Sequence, residues 1–343
     1  MTVVRSAEEL RQLGIRIFTA AGATEANAEG VMSSLIGANL AGHDSHGVIR
    51  IPSYVADIKI GKLRPASVPE ITRETGSTAI VDGGATFGQL GARLSAQVAV
   101  TKAREHGLAG AALFNAHHTG RIGEWAELGA SLGMVTMAVS AGAHGPRQVA
   151  PFGGRGRVLG THPMAWAVPR AGGQPPILLD YATSAAAQGK LMVARARREP
   201  VPDGWIVDKD GQPTNDVEEF YAGGALLPFA EHKGYALSVI VELLAVGLSG
   251  GDAIPPTEPA SCLYVHCIDP KAFRPEAEFA RTVERIAARL KASVPADGFD
   301  QVLLPGEPEA RTRQQRSEAG IPLPDATWEA IEGVASELGV PTG

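Results

Sequence analysis

Residues 110–131 read GAALFNAHHTGRIGEWAELGAS. A short apolar run, Gly110–Phe114, gives way to a polar stretch holding Asn115, His117, His118, Thr119 and Arg121. An Ala-rich segment from Gly123 to Ser131 follows. The first piece is short and bounded by turn residues, as a buried strand is, and the last has helical composition. A strand that passes through a polar turn into a helix is the building unit of α/β sheets.

The unit recurs on both sides. Short apolar runs at Thr78–Val81, Val135–Val139, Met164–Val168, Ile177–Asp180 and Cys262–Cys267 read as further strands. Gln89–His106, Ser184–Arg198, Lys233–Leu248 and Pro275–Ala292 read as helices. The expected fold is therefore α/β with a mainly parallel or mixed sheet. The first 60 residues read as helix instead. Ser6 and Glu9 form a capping box, Gly22 ends the first helix, and Thr24 caps a second running to about Leu40. A third stretch from His46 to Ile60 is kinked or restarted at Pro52. Helix returns from about Ala326 to Leu338, so the two ends of the chain can pack together.

Composition narrows the function. The chain has 343 residues, 44% of them hydrophobic and 20% charged, which supports a large core and excludes wholesale disorder. A net charge of −6 leaves no basic excess for a nucleic-acid backbone, and 5% aromatics leave little surface for stacking bases. Two cysteines exclude a disulfide-stapled scaffold. The start, MTVVRSAEELRQ, has no apolar signal region. The longest apolar run, Tyr235–Leu248, is broken by Glu242 and is too short to span a bilayer. The expectation is a cytoplasmic protein without a membrane partner. No G-x-G-x-x-G follows a strand, Gly189-Lys190 lacks the rest of a P-loop, and no G-x-S-x-G elbow is present.

Four stretches carry chemistry. On a continuous helix His46, Arg50 and Tyr54 share one stripe, with Ser45 beside them. Arg clamps a carboxylate at two points, and His or Ser bonds a neighbouring oxygen. The same residues also suit a solvated helix start capped by Asp44 or Ser45. His117 and His118 follow an apolar strand, where α/β sheets place ligands, and a histidine there suits general acid–base work. A pair of turn histidines bonded to backbone is the plainer reading. Lys233 opens a helix, in Glu231-His232-Lys233-Gly234, where a phosphate or carboxylate is attracted; most lysines there are simply exposed. Asp180 ends a strand before Thr183 and Ser184, and fits a ribose hydroxyl, a histidine or a plain helix cap. Cys262 and Cys267 fall on opposite strand faces, and His43-x-x-His46 lacks the glutamate of a zinc helix, so no metal is expected.

Seven stretches together resemble the type-2 malate/L-lactate dehydrogenase family. They are AGHDSHGVIRIPSY (41–54), NAHHTGRIGEWAE (115–127), VAPFGG (149–154), GTHPMAWAVP (160–169), LLDYATSAAAQGK (178–190), FAEHKGYALS (229–238) and LLPGEPE (303–309). They span the chain nearly end to end, with wording nearest the hydroxycarboxylate dehydrogenase B branch. The resemblance implies a non-Rossmann NAD(P)-binding fold, with a mixed sheet of about seven strands flanked by helices and an N-/C-terminal helical region. It implies an α/β cofactor domain over 76–307, and a helical region of 1–75 with 308–343 that carries substrate and dimer contacts. His118 takes the general acid/base position, with His46 the other candidate proton carrier. Ser45, Arg50 and Tyr54 fall in the substrate stretch. Ser140, Asp180, Tyr181, Ala182, His232, Lys233, Gly234, Gly306 and Glu307 fall at cofactor positions. The implied cofactor is NAD or NADP, the partner a small carboxylate, and the assembly a homodimer.

Two departures stand out: His162 replaces the usual Asn of G-T-N-P, and Ala116 replaces a Ser before the histidines. They bear on substrate choice and cofactor contacts, not on the reaction class. Hydride transfer to a 2-oxo carboxylate is the expected reaction. A cyclic-imine carboxylate reductase shares its clamp and hydride donor. A His-based metal hydrolase and a non-catalytic nucleotide-binding protein are the readings furthest from it, and the retained His118 and Arg50 argue against the last.

Overall fold

The computed structural model describes residues 2–144 and 147–342. The N-terminal part runs β1 (Thr2–Arg5), α1 (Ala7–Ala20), α2 (Glu25–Leu40), two 3₁₀ turns (Asp44–His46 and Val48–Arg50) and α3 (Ile51–Lys59). Then come β2 (Glu70–Glu74), β3 (Thr78–Asp82), α4 (Gly88–His106), β4 (Leu108–Ala116), α5 (Ile122–Ser131), β5 (Val135–Gly142), β6 (Pro163–Val168) and β7 (Ile177–Ala182). A smaller group follows: α6 (Gln188–Arg197), β8 (Ile206–Val207), β9 (Pro213–Thr214), α7 (Val217–Tyr221) and β10 (Ala225–Leu226). The chain ends with α8 (His232–Glu242), a π-turn (Leu243–Gly247), β11 (Ser261–Ile268), α9 (Glu276–Lys291), α10 (Glu307–Ala319), β12 (Ile321–Pro324) and α11 (Asp325–Glu337).

Seven strands make one mixed sheet in the order β2-β3-β4-β11-β5-β6-β7. Only β3 and β4 run parallel; every other neighbour is antiparallel. Register fixes what shares an edge. Ser261 pairs with both Ala116 and Gly142, while Met164 pairs with both Val139 and Tyr181. The ends of β4, β5 and β7 therefore open on the same side of the sheet.

Helices α4 and α5 cover one face. Their buried side chains are mostly small (Ala92, Ala96, Ala99, Ala103, Ala126), which lets the helices lie close on the strands. Trp125 fills the space between, fully buried, with Nε1 donating to Thr119 O at 2.9 Å. A second core joins the two ends of the chain. Leu10, Ile17, Phe18, Met32, Leu35 and Tyr54 pack with Ile321, Leu323, Trp328 and Ile331, and β1 pairs antiparallel with β12. Full burial of each such side chain contributes roughly 1.5–3 kcal/mol. A third, smaller core lies within residues 149–226. Among the described residues no helix is long and apolar enough to cross a membrane.

Several expectations need correction. The helix expected from His46 to Ile60 begins only at Ile51, with Pro52 in its first turn. Before it the chain wraps around buried Asn39. Its Oδ1 accepts from Val48 N at 2.8 Å, and its Nδ2 donates to Asp44 Oδ1 at 2.7 Å. A Cβ at Gly47 would lie 2.1 Å from Asn39 Oδ1, so only glycine allows this wrap. The single stripe of His46, Arg50 and Tyr54 therefore does not exist. The helix expected from Ser184 starts at Gln188; before it Ala185 N donates to Leu227 O and Ser184 Oγ to Ala186 O, and residues 184–187 are not helical. The helix expected from Lys233 to Leu248 is present, and the one difference is that its Leu243–Gly247 stretch is wound as a π-turn.

Candidate active site

β4 ends in a sharp turn. Asn115 adopts a left-handed conformation (φ +50°) and its Nδ2 donates to Asp82 Oδ1 at 2.7 Å. Asparagine tolerates this region better than most residues. The turn brings the two histidine carbonyls against the start of α4. A Cβ on Gly88 would lie 2.1 Å from His117 O and 2.6 Å from His118 O. The two histidines then part. His117 Nε2 lies 2.9 Å from Asp57 Oδ2. His118 Nδ1 lies 2.6 Å from Tyr54 Oη, and that oxygen also accepts from Gln89 Nε2 at 2.9 Å. The His118 ring stacks on His46, with centroids 5.3 Å apart.

This cluster holds its histidines neutral. Burial pushes His118 well below the ordinary histidine range, and the neighbouring His46, Arg50 and His117 act in the same direction. Burial, with Arg50 next in weight, lowers His46 to about 4. Burial pushes the Tyr54 phenol up, so it stays protonated.

Beside the neutral pair stands a cation. Arg50 Nε donates to Ser45 O at 2.6 Å, which fixes the guanidinium, and Ser45 Oγ lies 2.9 Å from His46 Nδ1. Among the described residues Arg50 has no carboxylate within ion-pair distance. A positioned, uncompensated guanidinium next to a proton-carrying imidazole suits a small carboxylate bearing a reactive oxygen. Tyr54 differs from the expectation for it. It is 1% exposed and its hydroxyl is engaged by His118 and Gln89, so it supports the histidine from behind.

α10 braces this loop from outside. Arg316 donates to Asp44 Oδ1 and Oδ2 at 2.6 and 3.0 Å and to Asn39 O at 2.5 Å. Glu309 lies 3.7 Å from His43.

The remaining candidates spread along the same sheet edge. Ser140 Oγ donates to Cys262 O at 2.8 Å and lies 3.3 Å from Thr119 Oγ1, next to His118 in the chain. Tyr181 meets Phe229 edge-to-face at 5.3 Å, and Phe229 N donates to Thr183 O at 3.0 Å, which ties the end of β7 to the turn before α8. Ala230 and Glu231 in that turn both have positive φ (+46° and +56°). Two adjacent strained non-glycine residues at a helix start point to a functional turn. A Cβ on Gly234 would lie 2.1 Å from Phe229 O. His232 packs against Phe152. Lys233 is exposed, with no ion pair among the described residues. A glycine-tightened helix start with a free lysine fits an anionic group such as a dinucleotide phosphate.

Three expected contacts lie apart. Asp180 turns inward, 3.2 Å from Arg121, which also pairs with Glu127; its carboxylate is buried beneath α5. Glu307 accepts from Lys291 Nζ at 2.7 Å and from Leu304 N at 3.0 Å. Gly306 packs on Leu178, at the opposite end of β7 from Ala182. It borders a groove of about 1460 Å³ beside α5 and α10 that contains none of the clustered histidines. His162, buried with φ +37°, accepts from Gly160 N at 3.1 Å through Nε2, and its Nδ1 lies 3.1 Å from Ser238 O. It ties the loop before β6 to α8. Among the described residues no group of three His, Cys, Asp or Glu side chains is placed to hold a metal ion.

Gln89, Asp57, Arg121 and Arg316 were not foreseen. Gln89 and Asp57 carry no motif. Arg121 sits inside the quoted GRIGEWAE stretch, and its pairing with Asp180 joins two of the conspicuous motifs.

The malate/L-lactate dehydrogenase family model matches residues 5–332. Hydroxycarboxylate dehydrogenase B of Escherichia coli O157:H7 is 42% identical over 334 residues, covering 95% of this chain and 91% of that protein. The solved sulfolactate dehydrogenase of Methanocaldococcus jannaschii superimposes with a TM-score of 0.91 at 30% identity, covering 99% of this chain and 98% of the other. The solved Δ1-piperideine-2-carboxylate reductase of Pseudomonas syringae pvar. tomato gives 0.84 at 32% identity, covering 97% and 100%. With its seven-stranded mixed sheet and a match running almost from end to end, the chain belongs to the malate/L-lactate dehydrogenase family.

Proposed function

We propose that this oxidoreductase transfers a hydride between a nicotinamide cofactor, NAD or NADP, and a small 2-hydroxy or 2-oxo carboxylate. The observation that carries the reading is His118. It is held by Tyr54 and stacked on His46, beside an Arg50 that has no carboxylate partner among the described residues. The strained turn before α8, with Lys233 and Gly234, is the part of the chain that fits the phosphates; Tyr181, next to Ala182 at the end of β7, meets it through Phe229, and Ser140 lies beside Thr119 on the same sheet edge. When bound, the nicotinamide supplies or takes up the hydride. Arg50 binds the substrate carboxylate, with Ser45 and His46 orienting its polar end. His118 gives a proton to the substrate oxygen in reduction and takes one in oxidation. A carboxylate at Arg50 offsets the positive charge that disfavours protonated His118, so substrate binding makes the acid form easier to reach.

The test is oxidation of NADH and NADPH over a panel of 2-oxo acids with His118→Ala beside the wild type. Loss of about 10²–10⁴ in kcat with retained cofactor binding supports the assignment. Near-normal turnover by His118→Ala, with loss in His46→Ala, reverses the roles of the two histidines.

A second reading is favoured by the likeness to the piperideine-carboxylate reductase. The same clamp and acid serve a cyclic imine carboxylate, with C=N in place of C=O. Including such an imine in the panel separates the two. We also propose a homodimer, supported by exposed Ile240, Leu243 and Leu248 along α8 and the π-turn, and checked by sedimentation. The shared core of the chain ends supports a helical unit distinct from the α/β part.

A further inference from the structure

Gln89 is 1% exposed, and among the described residues its side-chain hydrogen bond to the site goes to Tyr54. Its Nε2 donates to Tyr54 Oη, and its Oε1 is buried without a partner. A phenol has one proton. With that oxygen already accepting from Gln89, the Tyr54 proton goes to His118 Nδ1, 2.6 Å away. Neutral His118 then carries its proton on Nε2.

Protonated His118 breaks this chain. Its Nδ1 becomes a donor, so Tyr54 Oη must accept from it and send its own proton elsewhere. The groups facing His118 are His46 and Arg50 on the 3₁₀ turns, Tyr54 on α3 and His117 beside it, itself paired with Asp57. Among the described residues none of these groups besides His118 itself is hydrogen-bonded to Tyr54 Oη. Gln89 Oε1 is the unused acceptor next to that hydroxyl, and a half turn of the amide presents it.

We propose that Gln89 is a positioning residue whose amide turns over as His118 gains and loses its proton. In one orientation the chain runs Gln89 N–H to Tyr54 O–H to His118 Nδ1. In the other it runs His118 Nδ1–H to Tyr54 O–H to Gln89 C=O, which leaves Nε2 as the nitrogen that gives its proton to the substrate oxygen in reduction and, once bare, takes one in oxidation. An amide serves both because it carries a donor and an acceptor on one rotatable group. The role in turnover rests on the proposed reading of His118; the side-chain tautomer does not.

The experiment is ¹⁵N NMR of histidine-labelled protein without cofactor or substrate, with His118→Ala used to assign the ring. Wild-type His118 is expected in the Nε2–H form when neutral. Gln89→Glu, which once ionised can only accept, is expected at pH values above the titration of that carboxyl to move the neutral form to Nδ1–H and to raise the pH at which His118 protonates. Gln89→Leu is expected to lower kcat about tenfold with KM little changed, the scale of one lost hydrogen bond. The same tautomer and the same midpoint in wild type and Gln89→Glu overturn the proposal. An Nδ1–H neutral form in the wild type also overturns it, and needs no variant to fold. Unimpaired turnover by His118→Ala is a separate outcome that overturns the catalytic reading instead.

Discussion

Arg316→Ala tests whether α10 sets the geometry of the carboxylate clamp. Arg316 makes two contacts to Asp44 and one to Asn39 O, and Asn39 in turn holds Val48 N. The loop between carries Ser45, His46 and Arg50. A hydrogen bond to a charged group contributes about 1.5–3 kcal/mol when buried, but an exposed pair contributes only about 0–1. Arg316 is 17% exposed and Asp44 46%, so the carboxylate regains much of its hydration when its partner is removed. We therefore take about 1–2 kcal/mol for the brace. If most of it falls on loop order, KM for the carboxylate rises about tenfold, since ~1.4 kcal/mol is one decade. kcat should change by no more than about threefold, because the proposed proton donor, His118, lies outside this loop. Steady-state rates followed by nicotinamide absorbance measure both, and fluorescence titration measures cofactor affinity, which should not move. The melting point should fall by about 2–5 °C. Arg316→Lys should recover only part, because one ammonium cannot span two carboxylate oxygens and a carbonyl. An unchanged KM in a folded Arg316→Ala protein would refute the reasoning, and would mean that Asn39 alone holds the loop.

Arg50→Lys should raise KM with little loss in kcat, since a lysine cannot make the two-point carboxylate contact; an unchanged KM removes the clamp role. Gly88→Ala should cost several-fold in activity and roughly 2 kcal/mol or more in stability, read by urea denaturation, because its Cβ would meet His117 O at 2.1 Å. His118→Ala should lose about 10²–10⁴ in kcat while cofactor titration stays normal. Stability should fall as pH drops from about 6.5 toward 4. Below its ordinary value the unfolded His46 binds a proton that the folded one, with its pKa lowered to about 4, refuses. His118 acts in the same direction. Each contributes a slope of at most about 1.4 kcal/mol per pH unit, which urea midpoints at several pH values would show. A flat profile would place both histidines in water.

The strands of the central sheet were legible where burial writes itself as an apolar run, as in Gly110–Phe114 or Val135–Val139. β2 was not, because Glu70–Glu74 (EITRE) is exposed along its whole length and shows no alternation. α10 was expected only as part of the helical region that the resemblance implies, and was not legible in its own residues for a related reason: EPEARTRQQRSEA buries nothing, so it has no apolar stripe to find. Its ends did carry a signal, with Pro308 just inside the start and Gly320 just past the last turn. At the site, His46, Arg50 and His118 stood out because cations and imidazoles are conspicuous, and they do meet. Tyr54 meets them in a different capacity, because a single buried asparagine replaced an expected helix with two tight turns. Gln89 was illegible. Nothing in an isolated glutamine near a helix start says that its neighbour in space is a tyrosine 35 positions earlier in the chain.

The place of β11 has a consequence for how the chain comes off the ribosome. β4 and β5 are complete by residue 142, yet they do not pair with each other; residues 261–268 fill the slot between them. Until well over a hundred further residues have been synthesised, two apolar strand edges stand open, and at translation speeds of about 5–20 residues per second that interval lasts many seconds. Closing the sheet then requires a contact between distant parts of the sequence, which is slow. The nascent chain is thus a natural client for chaperones, and truncations ending before Ser261 should aggregate rather than rest as a partial fold.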